Sequence, residues 1–506
     1  MQEITPSLMA IYDINSEWYG VSRQLLMENA GAGIAREIRM RLDARKRILI
    51  LCGTGGNGGD GLVIARHLYG EHDIDVFLLG TPDRISNAAT LKNWYRLQKM
   101  PNLNASTLRD SSSFSLIEWD NYDIIIDGLL GSGLKGNPRE PHASLIQLIN
   151  AFHSKGKTVW SIDLPSGLLF DGKLATNHVK ADLSFALHSA KLGQTSVTET
   201  VVVPIGIPLD AILGSGPGYM QILQPHPIES HKGNNGTVLI IGGSHTYHGA
   251  VILSGLACLK TAVDLITIST PLEIASVVRS ASAELIINPY DTSYLHKDIL
   301  DPILEKAATV DVILLGPGIG NELCVEEAVH YFIERWGAIS PRPNLVIDAD
   351  ALKFINGIVK KLPEDVILTP HSGEFTYLSG LKLPSELNQR KEIIREFSSQ
   401  IKPTLLVKGP VDIVAKNGNV ITNYTGCSAM TVGGTGDVLA GLTAGLVART
   451  KDVFISAVSA VFWSGVTGWY CDQQNHGFST IKMIDYLPYI QKELDKFIRE
   501  ENNIFQ

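Results

Sequence analysis

Short apolar runs recur along this chain, each ending in a turn that carries glycine or a carboxylate and then opening into a helical pattern. That repetition restricts the fold to a parallel α/β architecture, because strands covered on both faces read as continuous rather than alternating apolar segments. Arg47-Ile-Leu-Ile-Leu-Cys52 opens into the loop Gly53-Thr-Gly-Gly-Asn-Gly-Gly-Asp-Gly61 and the helix Leu62-Val-Ile-Ala-Arg-His-Leu68. Tyr122-Asp-Ile-Ile-Ile-Asp127 leads into Gly128–Asn137, and Thr158-Val-Trp-Ser-Ile-Asp163 into Leu-Pro-Ser-Gly167. Further on, Val310–Leu315 precedes Gly316-Pro-Gly-Ile-Gly320, Leu345-Val-Ile precedes Asp348-Ala-Asp-Ala-Leu352, Val366-Ile precedes Leu368-Thr-Pro-His-Ser-Gly-Glu374, and Leu405-Leu-Val precedes Lys408-Gly-Pro-Val-Asp412. Ligands gather at the carboxyl ends of parallel strands, which is where each of these turns is expected.

The strongest chemical signal is Gly426-Cys-Ser-Ala-Met-Thr-Val-Gly-Gly-Thr-Gly-Asp437, followed by the apolar helix Val438-Leu-Ala-Gly-Leu-Thr-Ala-Gly-Leu446. Glycines at 433, 434 and 436 let backbone N–H groups turn inward at the positive end of a helix, which makes an anion cradle. Asp437 at that helix start can take a proton from a hydroxyl held beside a bound phosphate. The combination points to phosphoryl chemistry.

A chain of 506 residues exceeds what one core accommodates, so two or three domains are expected. A net charge of -9 with no basic stripe argues against a nucleic-acid binder. The cysteines at 52, 258, 324, 427 and 471 form no Cys-x-x-Cys pair, so neither zinc nor a disulfide framework is indicated and a reducing cytoplasm fits. No secretory signal is read at the amino terminus, and no uninterrupted apolar run reaches the roughly 18 residues of a membrane span. The glycine-, proline- and polar-rich stretches Gly214–Gly218 and Gln224–Gly236 read as a linker. They place an amino-terminal domain at 1–214 and a carboxy-terminal domain at 215–506.

In the first domain, Asn57, Asp127 and Ser166 are oxygen-bearing residues at predicted strand ends, which suit a hard monovalent cation or simply cap turns. Asp163 is an acid/base candidate or an ordinary loop carboxylate. Gly53, Gly55 and Gly58 match Gly-x-Gly-x-x-Gly, but the next strand, Ile74–Gly80, ends without the acidic residue that a dinucleotide-binding redox domain uses for ribose. In the second domain, His371 can orient a substrate, Lys408 can meet phosphate, and Asp348 and Asp350 can bind magnesium or cap.

Several of these motifs, in fixed order, resemble known families. The first domain resembles NAD(P)H-hydrate epimerase through Leu26-Met-Glu-Asn-Ala-Gly31, Asn57-Gly-Gly-Asp-Gly61, Asp127-Gly-Leu-Leu-Gly-Ser-Gly133 and Asp163-Leu-Pro-Ser-Gly-Leu168. The second resembles ADP-dependent NAD(P)H-hydrate dehydratase through His231-Lys-Gly, Gly242-Gly-Ser, Gly316-Pro-Gly-Ile-Gly, Asp348-Ala-Asp-Ala-Leu, Thr369-Pro-His-Ser-Gly-Glu and Gly433-Gly-Thr-Gly-Asp-Val-Leu439. Together they look like the fused, bifunctional repair family, an isomerase joined to a lyase.

The resemblance implies a Rossmann-like three-layer first domain and a ribokinase-like α/β second domain. It implies potassium (K+) on Asn57, Asp127 and Ser166, with the hydrate contacted by Gly56, Asn57, Gly58, Gly59 and Asp60, by Gly131, Ser132, Gly133, Leu134, Lys135, Gly136 and Asn137, and by Asp163. In the dehydratase it implies hydrate contacts from Ala250, Gly318, His371 and Asp437, and nucleotide contacts from Lys408, Gly409, Pro410, Val411, Asp412 and Gly436. The implied partners are the hydrates NADHX and NADPHX together with ADP and Mg2+, in a cytoplasmic homo-oligomer without nucleic acid or membrane. Asp163 and Asp437 would be the catalytic carboxylates.

Two departures stand out. Gly56 takes the place of the first of two asparagines in the epimerase loop, and Thr261-Ala-Val-Asp-Leu265 replaces a glycine-rich Gly-Ala-Gly-Leu after the first helix of the dehydratase, where helix packing is expected to differ. A hydroxymethylpyrimidine or hydroxyethylthiazole kinase would use the same glycine–Asp loop as Asp437 but would leave the first domain unexplained. A non-catalytic ligand-binding or interaction module is the other reading of the first domain.

Overall fold

The computed structural model describes residues 3–223, 229, 231–474 and 477–499. The chain divides into two compact units, Met1–Ile212 and Leu213–Gln506.

The first unit is built on a seven-stranded sheet: β1 Arg47–Cys52, β2 Asp73–Leu79, β3 Asn104–Leu108, β4 Ile124–Gly128, β5 Thr158–Ile162, β6 Leu183–Leu187 and β7 Glu199–Val203. Its order is β3-β2-β1-β4-β5-β6-β7, and every pairing is parallel. Alternate residues of β1 serve different layers. Ile48, Ile50 and Cys52 join a core with Leu26, Ile34 and Ile38 of the helix Arg23–Arg41 and Leu62 of the helix Gly56–Leu68. Leu49 and Leu51 face the opposite layer, packing with Leu145, Ile146 and Ile149 of the helix His142–Ser154. This is the Rossmann-like three-layer arrangement, with the strand order reversing between β1 and β4, where crevices for ligands form.

The glycine run after β1 is not a loop as expected. The helix begins at Gly56, so Gly56–Gly61 forms its first turns. These glycines serve close packing: a Cβ on Gly58 would stand 1.9 Å from the carbonyl oxygen of Gly53, and one on Gly59 would lie 2.5 Å from the Met27 Cε.

The second unit holds a nine-stranded sheet: β8 Thr237–Ile241, β9 Leu265–Pro271, β10 Leu285–Tyr290, β11 Val312–Leu315, β12 Asn344–Ile347, β13 Val366–Leu368, β14 Thr404–Val407, β15 Asp412–Lys416 and β16 Asn419–Asn423. Its order is β10-β9-β8-β11-β12-β13-β14-β15-β16, parallel from β10 to β14 and antiparallel beyond. The antiparallel edge follows from Asn417-Gly418, both at positive φ (50° and 79°), which is the turn chemistry of a two-residue hairpin. One face of the sheet packs with the helix Leu323–Trp336, which buries Phe332 and Trp336. The helices His248–Leu259, Thr435–Thr450 and Val453–Gln474 pack on one another. This is the ribokinase-like α/β unit.

One expectation is corrected here. Gly214–Gly218 is no free linker: the Ser215 backbone N–H donates to the carbonyl of Thr422 at 2.8 Å, its Oγ donates to Asn423 Oδ1 at 2.6 Å, and Pro217–Ile222 forms a 3-10 turn of the second unit in which Tyr219 and Met220 are buried. Residues 224–228 and 230 of the companion stretch lie outside the described residues. The helix Val453–Gln474 is long and apolar enough to cross a membrane. Within the unit, however, its Phe462 and Trp463 are fully buried and Trp463 Nε1 donates to the Leu487 carbonyl at 3.1 Å, as a core helix requires. The altered segment at Thr261–Leu265 is accommodated by a left-handed Ala262 (φ 60°) and by Gly445, where a Cβ would meet Thr261 Oγ1 at 2.2 Å.

Candidate active sites

In the first unit, the ends of β1, β4 and β5 converge on a cavity of about 610 Å3 lined by Asp13, Arg23, Gly56, Asn57, Asp60, Gly131, Ser132, Gly133, Leu134, His142, Asp163 and Lys191, among others. Asp163 sits at the turn after β5 in the left-handed region, at φ 61°. A non-glycine residue accepts that conformation only when its surroundings over-determine it. They do so here: Asp163 Oδ1 accepts from Lys191 Nζ at 2.5 Å and from the Leu187 N–H at 3.1 Å, and Gln194 Nε2 donates to the Asp163 carbonyl at 2.5 Å. Lys191 is 2% exposed, and its ammonium also donates to the carbonyls of Leu187 and Ser189.

Two more carboxyl groups share this cavity. Burial pushes the Asp13 pKa up to about 7, against the pull of Lys191 and Arg23. Asp60 is driven well above the ordinary carboxylate range by burial and then by the charges of Asp163 and Asp13. The cavity therefore gathers the carboxyl groups of Asp13, Asp60 and Asp163 around the buried Lys191 side chain, so that proton donors and acceptors face one bound molecule from several sides.

Behind the cavity wall, Asp127 is fully buried and accepts four hydrogen bonds: from Ser166 N–H at 2.8 Å, Ser166 Oγ at 2.6 Å, Ser161 Oγ at 3.0 Å and Leu129 N–H at 3.2 Å. Burial nevertheless pushes its pKa up. Asn57 Nδ2 donates to the Leu130 carbonyl at 3.0 Å, while Asn57 Oδ1 is buried with no hydrogen-bond partner among the described residues. An orphaned buried carbonyl oxygen, on a side chain hydrogen-bonded to the same Leu130 carbonyl that accepts from Ser166 Oγ at 3.3 Å, is an oxygen donor that fits a hard cation. Asp127 already accepts hydrogen bonds on both of its oxygens.

Of the residues expected to contact the hydrate here, Gly56, Asn57, Asp60, Gly131, Ser132, Gly133, Leu134 and Asp163 line the cavity. Gly58 and Gly59 are packed inside the helix, and Lys135, Gly136 and Asn137 are not among its lining residues. Asn137 instead accepts from the Thr176 N–H at 2.8 Å and fixes a turn.

In the second unit, Asp437 lies in the first turn of the helix Thr435–Thr450, whose N-cap Gly434 adopts φ 95°. Burial, reinforced by repulsion from Asp348, raises the Asp437 pKa to about 7, with Lys408 opposing. Lys408 Nζ donates to Asp348 Oδ1 at 2.7 Å, and Thr369 Oγ1 donates to the same oxygen at 2.5 Å. Burial works against the Lys408 ammonium, but Asp348 and Glu374 outweigh it and hold its pKa above the ordinary value. A Cβ on Gly436 would stand 3.5 Å from Lys408 Nζ, so the strand-end lysine and the glycine loop meet. His371 pairs with Lys408 through a β-bridge and caps the helix Ser372–Ser379, its Nδ1 accepting from Gly373 and Glu374 N–H groups at 2.9 and 3.1 Å. Ala250 and Gly318 are neighbours, since a Cβ on Gly318 would lie 3.1 Å from that of Ala250. Asp350 accepts from the Gly320 N–H at 3.3 Å and from Lys353 Nζ at 2.7 Å.

Residues 238–489 match the family described as NAD(P)H-hydrate dehydratase, and residues 23–193 match the YjeF-related protein N-terminus. A bifunctional NAD(P)H-hydrate repair enzyme of Pyrobaculum aerophilum is 39% identical over 482 residues, covering 92% of this chain and 93% of its own. The chain belongs to the bifunctional NAD(P)H-hydrate repair enzyme family. The member from Methanothermobacter thermautotrophicus is 38% identical over 96% of this chain and 94% of its own. Among solved structures, the Bacillus subtilis ADP/ATP-dependent NAD(P)H-hydrate dehydratase co-crystallized with ATP/Mg2+ is 25% identical, covering 55% of this chain and 97% of that one, with a TM-score of 0.45.

Sequence reading missed Asp13, Lys191 and Gln194 in this member of the repair family. Lys191 had one local signal, a single charge within Phe185-Ala-Leu-His-Ser-Ala-Lys-Leu-Gly193. Asp13 had none, because a carboxylate in a helix that otherwise follows an apolar pattern reads as an ordinary exposed position.

Proposed function

We propose that the chain repairs hydrated NADH and NADPH at two separate sites: the first unit interconverts the R and S hydrates, and the second returns the S hydrate to NAD(P)H in an ADP-dependent dehydration. The observation that carries this reading is that each unit holds its own carboxylate against a lysine or glycine turn, Asp163 paired with the buried Lys191 after β5 and Asp437 in the glycine-led first turn of the helix Thr435–Thr450.

Hydration of the reduced nicotinamide ring leaves a hydroxyl at carbon six, a poor leaving group. In the second site, Asp437 takes the proton of that hydroxyl as its oxygen forms a bond to the terminal phosphorus of ADP. The phosphorus–oxygen bond to the AMP portion breaks in the same transfer. A base with a pKa near 7 is poised for that step at neutral pH. The amides at Gly433–Gly436 meet charge developing on the transferred group. The carbon–oxygen bond then breaks with the electron pair leaving on phosphate as the ring nitrogen's lone pair forms an iminium, and loss of a carbon-five proton to solvent forms the carbon five–carbon six double bond of the reduced ring. Ala250, Gly318 and His371 are assigned to the hydrate, and Lys408–Asp412 with Gly436 to the nucleotide.

Asp348 and Asp350 supply oxygen donors that suit Mg2+ carried in with the nucleotide, where the cation would neutralise phosphate charge. In the first site, Asn57, Asp127 and Ser166 are assigned to K+, which would supply a fixed positive charge beside the hydrate. Gly56, Asn57, Asp60, Gly131–Leu134 and Asp163, which line the cavity, are assigned to the hydrate itself, with proton transfer at Asp163. A cytoplasmic homo-oligomer completes the proposal; cysteines without any Cys-x-x-Cys spacing support the reducing compartment.

Chromatography of NADH hydrate incubated with the protein and ADP tests the reading. Return of NADH with stoichiometric AMP and phosphate is expected, whereas a stable phosphorylated alcohol as final product would make the second unit a small-molecule kinase.

A further inference from the structure

Arg390 lies in the helix Leu387–Ser399, whose N-cap Glu386 spends both carboxylate oxygens on the N–H groups of Asn388 and Gln389, at 2.9 and 2.7 Å. The Nε and Nη2 atoms of Arg390 are both buried, and neither has a hydrogen-bond partner among the described residues. A guanidinium edge withdrawn from water without an acceptor is an unfavourable arrangement that a native structure keeps only when something else supplies the acceptor.

The position of that edge says where the acceptor belongs. A Cβ on Gly409 would stand 3.0 Å from Arg390 Nη2, so the guanidinium rests against the backbone of the Lys408–Asp412 turn and glycine leaves room for it. Asp412 does not serve as its partner. One Asp412 oxygen accepts from the Gly409 N–H and the other from Asn423 Nδ2, each at 3.1 Å. Lys408, the other cation of this turn, already holds Asp348 at 2.7 Å. Arg390 is therefore the cation of this turn with two donors unspent.

Nε and Nη2 project side by side from one edge of a planar group, a spacing that matches two oxygens of a single phosphate and that a lysine cannot reproduce. We infer that Arg390 is a phosphate clamp, its Nε and Nη2 donating to two oxygens of one phosphate of the nucleoside diphosphate bound on the Lys408–Asp412 turn. This rests on the nucleotide assignment made above and adds to it a residue from a different element, the helix before β14.

Calorimetric titration of the full chain with ADP and with adenosine separates phosphate recognition from base recognition. Arg390→Met is expected to weaken ADP binding on the order of tenfold or more, the scale of a charge-assisted pair of hydrogen bonds, and to leave adenosine binding unchanged. Arg390→Lys keeps the charge but loses the fork and should fall between. Because the free protein buries these donors unpaired, Arg390→Met should melt no lower than the wild type. Unchanged ADP affinity in Arg390→Met overturns the inference, as does an equal loss for adenosine, which would mean a contact to the base or a role in folding. A wild-type chain that binds no ADP would instead overturn the nucleotide assignment on which the inference stands.

Discussion

Lys191 Nζ lies 2.5 Å from Asp163 Oδ1, with side chains only 2% and 12% exposed, and the two residues reach each other from the turns that follow β6 and β5. Removing one member of such a pair leaves a buried charge uncompensated, whereas removing both does not. Lys191→Met should therefore lower the melting temperature by an amount reflecting a few kcal/mol and abolish isomer exchange. The double variant Lys191→Met/Asp163→Asn should regain much of the stability and none of the exchange. Additive losses in calorimetry would show the pair to be uncoupled.

The unpartnered Asn57 Oδ1 leads to an expectation about potassium. Isomer exchange should stop when KCl is replaced by tetramethylammonium chloride, and KCl should raise the melting temperature of the wild type through binding to the folded state. Asn57→Leu should lose both effects. Exchange that is indifferent to the cation would remove potassium from the site.

Asp437 carries a pH signature with a definite sign. Its pKa rises on folding to about 7 from the ordinary 3.8, so the folded state binds more protons between those values and its stability falls as pH rises through that window. Asp437→Asn should consequently be more stable than the wild type at pH 8, and the difference should shrink as the pH is lowered toward 4. The wild-type dehydration rate should climb with pH through about 7, as the base ionises, while the variant loses about 10²- to 10⁴-fold. A variant that melts below the wild type at pH 8 would contradict the raised pKa.

The two activities should separate. Asp163→Asn should fail in isomer exchange and still dehydrate the reactive isomer, and Asp437→Asn should do the reverse, because the two carboxylates lie in different compact units. An equal mixture of the two variants should restore full repair in a chromatographic assay. Loss of exchange in a folded Asp437→Asn protein would show that the sites are coupled.

Much of this protein was legible from local sequence. Continuous apolar runs such as Ile48–Cys52 and Val312–Leu315 specify buried parallel strands, because only residues covered on both faces can be apolar at every position. The glycine–Asp turn before the helix Thr435–Thr450 announces an anion site through backbone geometry alone. The strand-end carboxylates Asp127, Asp163 and Asp348 followed from the same topology.

Tertiary structure decided the rest. Lys191 and Asp163 are 28 positions apart and Lys408 and Asp348 are 60, so neither pairing is written in any local pattern. Gly56–Gly61 is helix rather than loop, and Gly58, Gly59 and Gly61 within it meet Gly53, Met27 and Cys52 too closely for side chains, while Val453–Gln474 became a core helix because neighbouring helices cover its apolar surface. Arg390 carries no motif at all; only the loss of water around its donors marks it. Residue type and spacing determine which groups a strand end can offer. Which charges are desolvated, paired or left waiting depends on what packs against them, and that is settled only when distant segments meet.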